Sequence, residues 1–384
     1  MSEPRLLIWL SDFGGGGAQR TMLNLAAALP DQGLTVELVV GRAEGPAKSW
    51  ADPKLAYAEL GGRRLAAIVP SLSGVIRSHA PDAVLSTMVD ANVAAFFANR
   101  LAGNRAALVL RETNSHRARA DIGFVRRRLA RLAYREADQI VALSRGVGSE
   151  LIADMALDPA RTVTIPNPVE VAVLARKAQA ARQPPPPGCF NSGSRHVVAI
   201  GRLHRQKGFD ILIDALARQD HDVRLIIIGE GPDRAALEAQ VRQLGLSDRV
   251  HMPGFIDNPA PYLAHADLFV LSSRWEGFGH VIVEAMASGL PVVAADCPYG
   301  PADILRHGET GWLVPPEDAG ALAAAIRLLL DDRDRAQRLA AAGAIAAERY
   351  QTSRVAGEYA AAIKRAIASK RLARGSSLSG LAKF

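Results

Sequence analysis

The sequence predicts an α/β chain built from two doubly wound parallel sheets. Three observations carry this. Short apolar runs alternate with segments of helical period along the whole length. The runs are almost continuously apolar, the pattern of strands buried on both faces of a parallel sheet. A proline-rich break, Pro184-Pro185-Pro186-Pro187, is followed by a second set of the same alternation. With 384 residues and a hydrophobic fraction of 49%, the chain has material for two cores.

In order, the first strand is Leu6–Leu10. Five consecutive apolar residues are too few for a signal peptide, and no stretch nears the ~18 apolar residues of a membrane-spanning helix. Gly14 to Gly17 turns the chain into a helix. It is placed like a dinucleotide loop but fails G-x-G-x-x-G, because Gln19 or Arg20 takes the last position. The next strand also ends in a base, Arg42, where a ribose-binding acid would stand. Strands at Thr35–Val40, Ala83–Ser86, Ala107–Arg111, Gln139–Leu143 and Thr162–Ile165 complete the first set. The four prolines then stop any helix and make a stiff linker. The second set is Val197–Ile200, Arg224–Ile228, Val250–Met252, Leu268–Leu271, Pro291–Ala294 and Gly311–Val314. The expected domains are 1–182 and 183–352, and the basic, Ser/Gly-rich tail 371–384 is expected to be mobile.

The two cysteines, Cys189 and Cys297, are far apart and give no disulfide framework. No His/Cys/Asp spacing suggests a metal; Asp220-His221-Asp222 sits in a polar loop before a strand. The net charge of +7 is unevenly spread. Arginines 111, 117, 119, 126, 127, 128, 131 and 135 face only Glu112 and Asp121 over the same stretch. Val125, Leu129 and Leu132 recur at helical spacing, with Arg128, Arg131 and Arg135 on another face. A basic amphipathic helix of this kind can lie on an anionic membrane surface; a solvated charged face is the ordinary alternative. With 5% aromatic residues and only Phe124 and Tyr134 in the cluster, nucleic acid is not an expected partner.

Chemistry concentrates in two stretches. Gly201-Arg202-Leu203-His204-Arg205-Gln206-Lys207-Gly208 follows the apolar run Val197–Ile200 directly. Ser272 to Pro291 holds Glu276 and Glu284 around the turn Gly277-Phe278-Gly279. A strand-to-helix connection at the mouth of an α/β sheet is where ligands bind. Arg202 offers a planar fork for phosphate oxygens and Lys207 a compact charge. The turn leads into a helix over Val281–Ser288, whose start presents free N–H groups. Glu284 lies on that helix and Glu276 in the loop before it. Cations for a diphosphate and carboxylates for hydroxyls suit a nucleotide-sugar. Each residue alone has an ordinary reading, as a surface charge or a helix cap; their conjunction in order on successive strand–helix units carries the inference.

These stretches resemble the retaining glycosyltransferases of family 4, the group 1 glycosyltransferases, which have the GT-B fold. GRLHRQKGFDILIDAL is similar to the family's donor-phosphate segment, and IIIGEGPDRAALE to its next strand and turn. VHMPGFIDNPAPYLAHADLFVLSSRWEGFGHVIVEAMASGLPVVAAD resembles its longest signature. GGGGAQRTMLNLAAALPDQGLTVELVV resembles its acceptor-side loop and first helix, and ADQIVALSRGV and VTIPNPV its last strands before the linker. The resemblance implies two Rossmann-like domains facing an interdomain cleft, with a helix near 353–370 crossing back to the first.

It also implies roles. Arg202 and Lys207 would bind the donor diphosphate, Glu284 the ribose hydroxyls, and Glu276 the donor sugar near the reacting centre. The backbone of Phe278-Gly279-His280 would approach sugar or phosphate. Gly201 belongs to the same donor loop, and Gly229, Phe255 and Ile256 would flank the base. Gly15, Gly16, Gly17, Glu112 and His116 would line the acceptor side, with His116 orienting the acceptor or taking a proton. Pro168 and Tyr299-Gly300-Pro301-Ala302-Asp303 depart from the family pattern, the second bearing on donor-sugar identity. The implied reaction retains configuration by front-face attack, unlike a retaining glycosidase with its carboxylate nucleophile. The expected donor is UDP-linked, with no metal or cofactor. The expected acceptor is a saccharide or a lipid-linked one in envelope, exopolysaccharide or lipopolysaccharide assembly. The expected location is cytoplasmic, on the inner face of the membrane. An epimerase, or a sugar-nucleotide-binding protein without transferase activity, is the alternative; the E-x7-E stretch argues against the first, and the intact Arg202, Lys207, Glu276 and Glu284 against the second.

Overall fold

In the first sheet the strands are β1 Arg5–Asp12, β2 Thr35–Arg42, β3 Tyr57–Glu59, β4 Ala83–Thr87, β5 Ala107–Glu112, β6 Gln139–Ala142 and β7 Thr162–Thr164. All pair in parallel, in the order β3-β2-β1-β4-β5-β6-β7. The second sheet holds β8 Arg195–Ile200, β9 Val223–Ile228, β10 Val250–Gly254, β11 Leu268–Leu271, β12 Val292–Ala295 and β13 Trp312–Val314. It is also parallel, in the order β10-β9-β8-β11-β12-β13. The computed structural model describes residues 3–14, 17–45, 47–48, 55–62, 65–113, 123–181, 186 and 188–381. The chain divides into two units, Met1–Pro168 with Thr352–Phe384, and Val169–Gln351.

Apolar continuity explains the strands: Leu6 to Leu10 and Leu268 to Leu271 are buried on both faces. In each sheet the strand order reverses beside the first strand, between β1 and β4 and between β8 and β11. Loops leaving adjacent strands on either side of such a reversal diverge and open a crevice. Every strand foreseen from the sequence is present. The short edge strand β3 was not, because its three residues are exposed and carry no apolar run.

Two boundaries differ from the sequence reading. The first division falls after Pro168 instead of at 182, because the helix Val171–Ala180 packs against the helices Ala260–His265 and His280–Ala287. Val169 also donates to the Tyr350 carbonyl at 2.8 Å. The expected linker thus does not mark the division; Pro184, Pro185 and Pro187 lie outside the described residues. At the other end, the C-terminal helix runs Thr352–Leu381, so the expected mobile tail begins as helix. Lys370 on Asp138 (3.0 Å) and Arg371 on Asp82 (2.6 Å) fasten it to the first sheet. On the helix Phe124–Glu136 the inward face is Ala130, Ala133 and Tyr134, while Val125 and Leu132 are exposed with Phe124. Small Ala side chains allow the close approach. Arg117 and Arg119 lie outside the described residues. Among the described residues no helix is long and apolar enough to cross a membrane.

Arg111, at the end of β5, is wholly buried in the first unit. Its Nε donates to the Tyr359 hydroxyl at 3.0 Å, Nη1 to Thr87 Oγ1 at 2.7 Å, and Nη2 to Asn167 Oδ1. Tyr359 comes from the C-terminal helix and Asn167 stands just before the first crossing. One guanidinium thus ties both crossings to β5, with neutral oxygens meeting its donors. A buried donor left unmet costs its full desolvation. Tyr359→Phe keeps the ring and removes the acceptor; the expected loss is about 1–3 kcal/mol of stability in urea unfolding of the first unit. An unchanged midpoint would show that the tie contributes nothing.

Candidate functional site

The Gly201–Gly208 loop leaves β8 and the Ser272–Gly279 loop leaves β11, adjacent parallel strands joined through Val197↔Leu268 and Val198↔Phe269. The first loop ends in a 3-10 turn, Arg205–Lys207, capped by His204 Nδ1 accepting from the Gln206 N–H at 3.2 Å. Gly208 closes the turn at φ +61°, where a Cβ would sit 2.1 Å from the Ser272 carbonyl oxygen. Only glycine lets the two loops approach this closely. Ser272 Oγ adds a bond to the Lys207 carbonyl at 2.9 Å.

This approach brings Lys207 Nζ to 2.5 Å from Glu276 Oε1, with the side chains 19% and 7% exposed. Ser273 Oγ donates to the same oxygen at 2.7 Å. The Glu276 backbone is stitched to the loop after β12: its N–H donates to the Pro298 carbonyl at 2.9 Å, and Tyr299 N–H returns to the Glu276 carbonyl at 3.1 Å. A buried carboxylate needs such company, since removing one partner strands a charge away from water. Beside the pair, burial pushes the Cys297 thiol up to about 12, so it stays protonated at neutral pH.

The other expected donor residues fall around the same sheet edge. Arg202 is exposed in the β8 loop. Gly229 follows β9; its N–H donates to the Gly254 carbonyl at 2.9 Å, and Gly201 N–H to the Ile228 carbonyl at 3.0 Å, so the ends of β8, β9 and β10 lie side by side. Phe255 stands exposed just past β10, with Ile256 half-buried after it. Phe278 turns its ring inward against Tyr350 and His280, at 5.5 and 5.4 Å between ring centroids, leaving the backbone to open the next helix. That helix is His280–Ala287, with Gly279 as its N-cap and Glu284 half-buried on it. Lys207 and Glu276 are predicted side chains that the fold brings into direct contact.

In the first unit Gly17 opens the helix Gly17–Ala28; Gly15, Gly16 and His116 lie outside the described residues. Glu112, at the end of β5, is buried, with Oε1 accepting from Thr113 N–H at 2.8 Å and Oε2 from the Tyr134 hydroxyl. Asn92 Nδ2 donates to that hydroxyl at 2.7 Å and to the Arg111 carbonyl at 3.0 Å. The sequence reading missed Asp12, whose Oδ1 accepts from Gly14 N–H at 2.8 Å and shapes the glycine loop. It also missed Arg274 and Asp210. The signal was present: both are charged residues close in sequence to residues already singled out. Among the described residues no group of three or more His, Cys, Asp or Glu is placed to hold a metal ion.

Arg274 holds the Asp210 carboxylate below the usual range, chiefly through its hydrogen bonds. A depressed carboxylate stabilises the fold above its unfolded pKa of about 4 and loses that contribution as pH falls through the folded value. Asp210→Asn is therefore expected to be less stable than the parent at pH 7, with urea midpoints converging as pH falls through the depressed folded value. A gap independent of pH would refute an ionic contribution.

The family described as glycosyl transferases group 1 matches residues 186–345, and a glycosyl transferase 4-like domain matches 16–168. Among curated relatives, N-acetylgalactosamine-N,N'-diacetylbacillosaminyl-diphospho-undecaprenol 4-alpha-N-acetylgalactosaminyltransferase of Campylobacter jejuni is 27% identical over 61% of this chain and 63% of its own length. Lipopolysaccharide core biosynthesis glycosyltransferase LpsE of Rhizobium meliloti is 40% identical over 38% of this chain and 43% of its own. The matches thus span less than two thirds of these relatives. Among solved structures, Anabaena HepE in complex with UDP-glucose superposes with a TM-score of 0.80 at 25% identity, over 93% of this chain and 98% of that one. Both units are covered by the two matching domains, and the parallel sheets agree: the chain belongs to the group 1, family 4-type glycosyltransferases, built on the GT-B fold.

Proposed function

We propose that this chain transfers a sugar from a nucleoside-diphosphate sugar, UDP-linked, to a saccharide or lipid-linked acceptor, with retention of configuration and without a metal or other cofactor. The observation that carries the reading is the Lys207–Glu276 contact at the strand reversal of the second sheet. It sets a cation for phosphate beside a carboxylate for sugar hydroxyls. The matching structure with UDP-glucose supports the donor class, and the undecaprenol-linked substrate in the Campylobacter relative's name supports a lipid-linked acceptor.

Arg202 and Lys207 stabilise the charge that grows on the leaving diphosphate as the anomeric C–O bond breaks. Backbone N–H groups of Phe278-Gly279-His280 add donors at the helix start. Glu284 holds the ribose, and Gly229, Phe255 and Ile256 flank the base. Glu276 positions the sugar. The acceptor oxygen bonds to the anomeric carbon on the face the diphosphate leaves, and its proton passes to the departing phosphate oxygen. Glu112, His116 and the Gly15–Gly17 loop serve the acceptor. The work belongs to envelope, exopolysaccharide or lipopolysaccharide assembly, on the cytoplasmic face of the membrane. The helix Phe124–Glu136 supports that location: Phe124, Val125 and Leu132 are exposed among Arg127, Arg128, Arg131 and Arg135.

A thermal-shift panel with UDP, GDP, ADP and CMP, then sugars on the nucleotide that binds, tests the donor. Ligand at a hundred times its dissociation constant adds about 2.7 kcal/mol. A shift with UDP and one UDP-sugar is expected; GDP alone overturns the base, and no shift overturns the function. Lys207→Ala should weaken UDP binding by about 1–3 kcal/mol, the scale of a charge-assisted contact. For the membrane, the parent should bind anionic liposomes at low salt, and replacing Arg127, Arg128 and Arg131 with Gln should weaken that binding. A parent that ignores the liposomes rules the surface out.

A further inference from the structure

Arg274 precedes Glu276 by two residues, and no role above uses it. Its side chain is 14% exposed. Nη1 and Nη2 fork onto Asp210 Oδ1 and Oδ2 at 2.8 and 2.7 Å, and Nη1 also donates to the Arg205 carbonyl at 2.9 Å. Nε donates to Glu317 Oε1 at 2.5 Å. The Arg274 N–H donates to the Gln206 carbonyl at 2.7 Å, and Gln206 Nε2 returns to the Trp275 carbonyl at 2.9 Å. Three segments meet at this one guanidinium. They are the turn carrying Lys207 with the helix after it, the loop carrying Glu276, and the loop after β13.

The third segment carries a second sign of constraint. Glu317 has φ +60°, a left-handed conformation that a non-glycine residue keeps only where its surroundings over-determine it. Lys207, by contrast, has a flexible four-carbon stem that does not by itself select one position for its ammonium. Its location is set by the backbone of the turn, and that backbone is bound to the Glu276 loop by the Arg274 guanidinium and N–H together with Ser272 Oγ and the Gln206 side chain.

We propose that Arg274 is a positioning residue. By clamping the Arg205–Lys207 turn to the Glu276 loop, it seats Lys207 on Glu276 and aims the ammonium at the diphosphate subsite. The aiming rests on the donor reading given above; the seating does not. A lysine at this position keeps the charge but cannot fork onto Asp210 while reaching Glu317 and the Arg205 carbonyl.

The test uses the full chain with Arg274→Lys and two readouts. The first needs no ligand: acetylation of Lys207 by an N-hydroxysuccinimide ester, followed by peptide mass spectrometry, with exposed Lys177 as reference. Lys207 should label severalfold faster in the variant while Lys177 is unchanged; equal Lys207 rates overturn the proposal whatever binds. The second is the ratio of UDP to UMP affinity by calorimetry, which should fall about tenfold, the loss of one charge-assisted contact. A merely structural role lowers the unfolding temperature and leaves that ratio alone. Faster labelling with an unmoved ratio overturns the aiming. Faster labelling in a chain whose parent binds neither nucleotide upholds the seating and sinks the donor reading. Should Arg274→Lys fail to fold, Asp210→Ala removes both acceptors of the fork and should still raise Lys207 labelling; no rise there overturns the clamp.

Discussion

Lys207 and Glu276 are opposite charges that meet at the ends of neighbouring strands, where neither has much water. Such a pair is stable only if its geometry is good and its remaining valences are filled. That requirement explains what surrounds it. Ser273 fills one site on the carboxylate, Gly208 removes the Cβ that would hold the loops apart, and the residues after β12 bind the Glu276 backbone from the far side. Parallel strands with a reversal of order supply the crevice; the ion pair decides how the loops bordering it must run.

The first unit places charge at the end of β5 by a different rule. Arg111 and Glu112 are neighbours in sequence on opposite faces of a strand, both buried. Neutral oxygens from Thr87, Asn167 and Tyr359 serve Arg111, while a tyrosine hydroxyl and a backbone N–H serve Glu112. Tyr134 links Glu112 to the helix Phe124–Glu136, whose outer surface mixes arginines with Phe124, Val125 and Leu132. A change in that helix is therefore mechanically close to a buried carboxylate at the strand end.

Much of this was legible in the sequence because it depends on local order. Buried parallel strands are apolar without interruption, so β1, β8 and β11 could be read directly. Lys207 and Glu276 stand out because each follows such a strand after a few residues. What was not legible depends on partners distant in the chain. Nothing near Arg274 names Glu317, and nothing near Arg111 names Tyr359. The break after Pro168 was hidden by four prolines further on, since proline reports where a helix stops, not which unit it belongs to. Val125 and Leu132 were read as sharing a helical face, but spacing alone does not say whether such a face is covered; here both are exposed.

The second unit is inserted within the first, between Pro168 and Thr352. Leu6, Ile8 and Leu10 share a core with Tyr359, Ile363 and Ile367 of the last helix. On the ribosome, the unit that emerges first is thus the last to be finished, with all of the second translated in between. Domains ordinarily fold as they emerge. Here the first sheet must wait with one apolar face open, and Arg111 must wait for Tyr359, until the helix Thr352–Leu381 has been made. A stop just before Thr352 would spare the second unit and leave the first without its closing layer.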